Sequence, residues 1–238
     1  MKVVAIKTEL HAITLTEGQF SDVTGAPVLP LDQPEVRRLL EVVSLCSDVT
    51  LTPDGQPHEG SPTESALVNA TVCAGIDVAE LRNTLPLLQI EHRAEGRPYM
   101  ASVHETGIKE KLVAVKGSPS HVLSLCSEWQ CGDQRKKLTK ASREKILAAN
   151  EDLAGEALRV LGVAHGITSE DDPATPKNLV WLGLIGMEDV LRPDTAALMH
   201  QFHEAGIETV MITGDQSATA YSVGKRLGLG GTKDIEIM

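Results

Sequence analysis

The chain has 238 residues, 42% hydrophobic, 23% charged and only 3% aromatic. That length holds one large domain or two small ones, and the composition excludes disorder, collagen and low complexity. Against 22 basic residues stand 33 acidic ones, a net charge of −11 without a basic stripe, which disfavours nucleic acid and anionic membranes as partners.

The opening MKVVAIKTEL has no apolar signal core, and the first thirty residues read as one or two strands and loops, closed by the proline-rich turn from Pro27 to Pro34. Glu35 to Ser47 carries Leu39, Leu40, Val43 and Leu45 or Cys46 at helical spacing. Turn formers fill Thr52 to Gly60, and a second helix opens at Ser61-Pro62-Thr63-Glu64 and runs to about Ala74. Leu85 to His92 and Arg97 to Glu105 read as strands around Glu95-Gly96, and Lys111 to Lys116 as a third, nearly continuous apolar strand. Pro119 to Ser127 reads as a short helix, Thr139 to Leu158 as a long one, and Arg159 to His165 as a strand. Asp171 to Lys177, with two prolines, is the linker candidate. Beyond it the pattern becomes strand, helix, strand, helix: Leu179 to Met187, Pro193 to Ala205 with Leu198, Phe202 and Ala205 inward, Ile207 to Thr213, and Ser217 to Leu227. That alternation predicts a parallel sheet with right-handed crossovers, whose ligands bind beyond the strands' carboxyl ends. The longest apolar stretch, Leu179 to Met187, is far shorter than the roughly 18 residues of a membrane span, so no direct membrane insertion is expected.

Several groups are candidates for chemistry. Thr213-Gly214-Asp215 places a hydroxyl, a bare backbone and a carboxylate at a strand end before a helix, which suits phosphate and Mg²⁺; equally, Asp215 can simply cap that helix. In Lys116-Gly117-Ser118-Pro119 a strand-end lysine can reach a phosphate or a base, with Gly117 leaving room. Ser61-Pro62-Thr63-Glu64 is explained by a capping box. Arg159 can face a phosphate or a surface carboxylate, and Asp189 with Arg192 can fix a strand end. His200 and His203, three apart, lack a third metal ligand. Cys46, Cys73, Cys126 and Cys131 form no C-x-x-C, and no nearby histidine completes a ligand set with Cys126 and Cys131, so free thiols in a reducing compartment are expected and no metal site is assigned. Walker-type, nucleophile-elbow and H-E-x-x-H motifs do not occur.

In order along the chain, these pieces resemble the large cytoplasmic loop of P-type cation-transporting ATPases. Ser61 to Leu67, SPTESAL, is similar to the family's D-P-T-E-x-A-L; Lys116 to Pro119 to its K-G-A-P; Glu156 to Leu161, EALRVL, to its G-x-R-V-L/C strand. Gly186 to Pro193, GMEDVLRP, resembles G-x-x-D-P-x-R-P, and Ala205 to Thr219, AGIETVMITGDQSAT, resembles A-G-I-x-V-x-M-I-T-G-D-x-x-x-T. The resemblance implies an α/β chain of two parts: a nucleotide-binding (N) domain over residues 1–175, with an antiparallel sheet flanked by helices, and a partial phosphorylation (P) domain over 176–238, of haloacid-dehalogenase-like parallel fold.

It also implies roles. Glu64 would contact the adenine, Lys116 and Gly117 would line the base pocket, and Arg159 would reach the ribose or phosphates. Thr213, Gly214 and Asp215 would hold the phosphate end, supported by Asp189 and Arg192. The family's adenine-stacking phenylalanine has no counterpart here; Ile90 is the best match for its position, His92 fits if the register differs, and Tyr99 across the hairpin is a possible substitute. Weak nucleotide binding is therefore expected. The phosphorylated aspartate of D-K-T-G-T-L-T and the later T-G-D-G-x-N-D are absent, and MKVVAIKTEL resembles the stretch that follows the former. This implies a fragment without turnover of its own, a soluble piece from the cytoplasmic face of a membrane protein. It would bind ATP or ADP, use Mg²⁺ only within the complete enzyme, and partner the pump's membrane helices, actuator domain and remaining P domain. No His-Pro pair occurs, which sets the heavy-metal branch aside. Two alternatives stand beside this reading: a free-standing haloacid-dehalogenase-like phosphatase, which needs an aspartate nucleophile that Val3 to Glu9 does not supply, and a non-enzymatic interaction module.

Overall fold

The computed structural model describes residues 1–169, 176–189, 194–212, 221, 223–225 and 227–229. The amino-terminal stretch forms three strands rather than one or two: β1 (Lys2–Lys7), β2 (Ala12–Thr16) and β3 (Gln19–Asp22). Helix α1 (Pro34–Leu45) opens on a proline, which is preorganised for a first turn, and its Glu35 is fully buried. That carboxylate accepts from Thr8 Oγ1 at 3.3 Å and meets His11 Nδ1 at 2.9 Å, tying the helix start to the β1–β2 turn. Helix α2 (Pro62–Cys73) follows the expected turn region, and α3 (Val78–Thr84), capped by Asp77, is too short for a periodicity to announce it. Then come β4 (Leu87–Glu91), β5 (Tyr99–Glu105), β6 (Lys111–Gly117) and α4 (Pro119–Ser124). The unforeseen hairpin of β7 (Cys126–Cys131) and β8 (Gln134–Lys137) takes the residues expected to end that helix. Helix α5 (Lys140–Gly155) is fixed by a capping box between Thr139 and Ser142, and β9 (Arg159–Thr168), β10 (Leu179–Glu188) and α6 (Thr195–Glu204) complete the described elements.

The strands form one sheet in the order β3-β2-β1-β10-β9-β6-β5-β4, every neighbouring pair antiparallel, and β7 joins the start of β10 in parallel with β8 outside it. The expected antiparallel sheet flanked by helices is therefore present. The parallel arrangement expected after residue 176 is not what β10 forms: it lies between β1 and β9, antiparallel to both, so the sheet runs across the expected 175/176 boundary. Its ten residues are almost all buried because both faces are covered, and a strand covered on both faces is near-continuously apolar whichever way its neighbours run.

Side-chain alternation sends Leu112, Ala114 and Lys116 of β6 to one face and Val113 and Val115 to the other. The first face packs under α1 and α2 through Leu39, Leu40, Val43 and Leu67, and the second under α4 and α5 through Val122, Ile146 and Leu153. Arg143 of α5 donates to the carbonyls of Leu123 and Cys126 at 2.7 and 2.6 Å, satisfying the end of α4. All four cysteines are free, and burial pushes the Cys126 thiol up to about 12. No helix among the described residues is long and apolar enough to cross a membrane.

Past β10 the described chain packs loosely. Helix α6 buries no residue: Leu198 and Ala205, expected inward, are exposed, and Phe202 is half-buried. Its histidines take ordinary partners, His200 with Glu204 at 3.6 Å and His203 with Thr209 at 2.9 Å. Residues 207–212 form no strand, and Ile212 is 94% exposed. An apolar run becomes a buried strand only where neighbours pair with both its edges, and none does so here among the described residues. The helix expected over 217–227 falls largely outside them.

His165, on β9, is 4% exposed, and neither ring nitrogen has a hydrogen-bond partner among the described residues. Burial, then Arg38 and Arg135, pushes its pKa from 6.5 down to about 4. The unfolded chain thus binds this proton more readily than the folded one. Stability should be complete above pH 6.5 and fall by up to about 3 kcal/mol as pH drops toward 4. Urea unfolding across that window measures the loss, and His165→Leu should remove its share of the slope.

Candidate nucleotide site

Lys116 is the penultimate residue of β6 and points to the α1/α2 face; it is 3% exposed. A buried ammonium persists only where acceptors replace its water. Here Nζ donates to the Cys46 carbonyl at the carboxyl cap of α1, where the helix dipole is negative, and to Glu64 Oε2 in the first turn of α2. Glu64 is 13% exposed at its side chain. Its backbone N–H donates to Ser61 Oγ at 3.2 Å, so Ser61 caps the helix as expected, but the expected capping box does not close because the Glu64 carboxylate turns to Lys116.

The surroundings hold the pair in place. Arg82 of α3 donates to the carbonyls of Ser44 at 2.9 Å and Val49 at 2.6 Å, bracing the segment that presents Cys46. Burial lowers the Arg82 pKa, opposed by Asp48 and Glu64. Beneath Lys116 its register partner is Met100, whose carbonyl accepts from Cys46 Sγ at 3.5 Å; burial raises that thiol's pKa. One rank on, His104 Nδ1 donates to the Leu85 carbonyl at 3.0 Å and Nε2 accepts from Ser102 Oγ at 2.8 Å, with burial keeping the ring neutral. Sequence reasoning missed Cys46 O and Arg82, and no local pattern marks either, because both act on chain remote from themselves.

Ile90 pairs with Ser102 and so shares Lys116's face, half-buried against the first core. Tyr99 does not: it packs in the second core, on the opposite face, and cannot replace the missing aromatic. Strand alternation decides this, since Tyr99 is one residue from Met100 and points the other way. His92 is exposed, 3.9 Å from Asp48. Arg159 is exposed and shares the face of Leu161 and Val163; Val163 is the register partner of Lys116, which sets Arg159 roughly 13 Å farther along β9, at the rim rather than in contact with the pair.

Gly117 has a reason apart from any ligand. A Cβ there would stand 2.4 Å from Tyr99 Cα and 2.5 Å from Pro98 O, so the clearance is used by the neighbouring strand. Asp189 is 85% exposed at its side chain, 3.9 Å from the Met1 ammonium. Thr213, Gly214, Asp215 and Arg192 lie outside the described residues, so the expected phosphate end is represented only by Asp189.

With this geometry in hand, similarity to known proteins becomes informative. The family model described as P-type ATPase, cytoplasmic domain N, matches residues 35–194. The chain is 33% identical over 231 residues to Cation-transporting ATPase pma1 of Synechocystis sp., covering 92% of this chain and 25% of that protein. It is 33% identical over 216 residues to Probable cation-transporting ATPase F of Mycobacterium tuberculosis, covering 87% of this chain and 23% of that one. It is 30% identical over 204 residues to Calcium-transporting ATPase 1 of Saccharomyces cerevisiae, covering 82% and 21%. The chain thus spans between a fifth and a quarter of the length of these relatives.

Proposed function

Because the chain belongs to the cation-transporting P-type ATPases, carrying their cytoplasmic N domain, we propose that it binds ATP or ADP on the face of the sheet under α1 and α2. The observation that carries this reading is the meeting of Glu64 and Lys116, drawn from segments 52 residues apart into one buried pair on the face that also holds Ile90. A carboxylate and an ammonium side by side complement the mixed donor and acceptor edge of a purine.

The pair is closed on itself in the free chain, so the base must part it. Glu64 is the member able to move: it stands in the first turn of α2 and keeps some exposure, whereas Lys116 is walled in by Met100, Val163 and Cys46. We assign Glu64 to accept from the exocyclic amine of adenine, Lys116 to donate to a ring nitrogen, and Ile90 to cover the ring. Without an aromatic platform the stack forgoes about 1 kcal/mol. Arg159, at the rim, is assigned to the ribose or phosphates.

In the whole pump, the γ-phosphoryl group would leave the β-phosphate oxygen of ATP and bond to an aspartate outside this chain, releasing ADP and driving cation movement. That aspartate is not among these 238 residues, so this chain alone is expected not to hydrolyse ATP. Magnesium takes about six oxygen ligands, usually including substrate phosphates. Among the described residues the phosphate end offers one carboxylate, Asp189, turned toward Met1, which does not make a magnesium site. We place β10 with the nucleotide-binding unit, since both its edges pair within that sheet, and the phosphorylation part after it.

Titrating ATP and ADP while following backbone amide shifts tests the reading. Changes should saturate and cluster at Glu64, Ile90, Lys116 and Arg159. A spectrum unchanged at millimolar ATP would overturn it.

A further inference from the structure

We propose that the cleft between the amino-terminal half of α1 and the β7–β8 hairpin binds a small tetrahedral oxyanion of the phosphate or sulfate class. The cleft encloses about 210 Å³ and is lined by Pro34 and Arg38 from α1, Gln130, Asp133 and Arg135 from the hairpin, and His165 from β9 at its floor. It lies at the opposite end of α1 from Cys46, eight residues or about 12 Å from Arg38, and is distinct from the Glu64–Lys116 site.

Two observations converge on an anion. The first is the imidazole of His165, buried at 4% exposure with both nitrogens unpartnered among the described residues, although buried polar groups in folded proteins almost always have a partner. The second is the pair of guanidinium groups that line the cleft with it. Arg38 and Arg135 line the same cleft as His165, and their charge opposes the ring's protonation. Arginine forks match tetrahedral oxyanions in shape as well as charge. Against these two cations stand one exposed carboxylate in the lining, Asp133, and Glu41 beside Arg38, so the two charges are balanced here although the chain's net charge is −11. Arg38 also pairs with Glu41 at 3.1 Å, a surface pair of adjacent helix turns that an oxyanion can displace. Water alone can fill the volume, since each molecule takes about 30 Å³, but it brings no negative charge to the two guanidinium groups. An oxyanion accepts from Arg38, Arg135 and the one N–H of the neutral ring together.

A dianion beside His165 favours the imidazolium, so the ring's pKa should rise on binding, against the opposing pull of Arg38 and Arg135 and with that of Asp133. Sulfate is the probe, because its charge is constant across the pH range used. It is titrated into the full chain against chloride at matched ionic strength, following the His165 ring carbons and the arginine Nε–H signals. The expected result is a saturable shift at His165 with sulfate and not with chloride, a rise of the ring's pKa, and at least tenfold weaker binding in Arg38→Gln and in Arg135→Gln. Both arginines are exposed, so the variants should keep the parent amide spectrum elsewhere. Comparing inorganic phosphate with glycerol phosphate identifies the source. Equal affinity indicates a free anion, whereas tighter binding of the ester places its organic part in the adjoining cleft of about 310 Å³, beside Leu31 and Arg37. A shift that does not saturate, that chloride reproduces, or that survives both substitutions would overturn the proposal and leave the cleft to water.

Discussion

Glu64→Ala is expected to destabilise the folded chain by about 3–5 kcal/mol, the cost of removing one partner from a buried ion pair. The asymmetry of the pair sets the size. Deleting the carboxylate strands an ammonium that is 3% exposed, with only the Cys46 carbonyl left to it. Deleting the lysine instead leaves a carboxylate that is 13% exposed and stands in the first turn of α2, nearer water than the ammonium, so Lys116→Ala should cost less, and mainly through the void left by its stem. The double variant Glu64→Ala/Lys116→Met should recover more than half of the loss, because it removes the stranded charge and keeps the volume. Chemical denaturation of the three variants checks this ordering. Glu64→Ala within about 1 kcal/mol of the parent would show that the pair is not buried as described. Nucleotide affinity adds a second readout: Glu64→Ala and the double variant should both lose at least tenfold in affinity for ATP, even though their stabilities diverge.

Gly117→Ala is expected to be worse still, about 4 kcal/mol or more, because the new methyl overlaps backbone. Its Cβ would meet Tyr99 Cα at 2.4 Å and Pro98 O at 2.5 Å, and neither can rotate away. Relief needs β5 to shift, which breaks the 2.8 Å hydrogen bond from Ser118 N to Pro98 O and disturbs Lys116 one residue before. Overpacking usually costs 1–3 kcal/mol, and this case exceeds that because main chain is the obstacle. Gly155→Ala is the control. Gly155 ends α5 with open space around the built Cβ, so the same chemical change should stabilise by a few tenths to 1 kcal/mol. Thermal unfolding of both decides it; equal and small effects would mean that β5 and β6 are not as close as described.

Much of this architecture was legible locally. Leu39, Leu40 and Val43 at helical spacing mark α1, Ser61-Pro62 marks the start of α2, and the apolar runs mark β6, β9 and β10. Glu64 and Lys116 were also legible, through the short strings that hold them. The hairpin of β4 and β5 was legible too, but other statements about partners failed. Tyr99 looked usable across a hairpin, yet strand alternation turns it to the other core. The run from Ile207 read as a strand because it is apolar, and residues 207–212 are not one.

The sequence by itself determined where the helices and central strands lie, how α2 is capped, and which carboxylate and ammonium deserve notice, because periodicity, capping and turn chemistry act over a few residues. Only the tertiary structure decided that β10 pairs with β1 from far along the chain, that the Cys46 carbonyl completes the lysine's shell, and that His165 shares a cleft with two arginines and has no hydrogen-bond partner among the described residues. Strand pairing and charge burial depend on which distant segments share a face, and the free energy that selects them belongs to the assembled sheet rather than to any stretch of it.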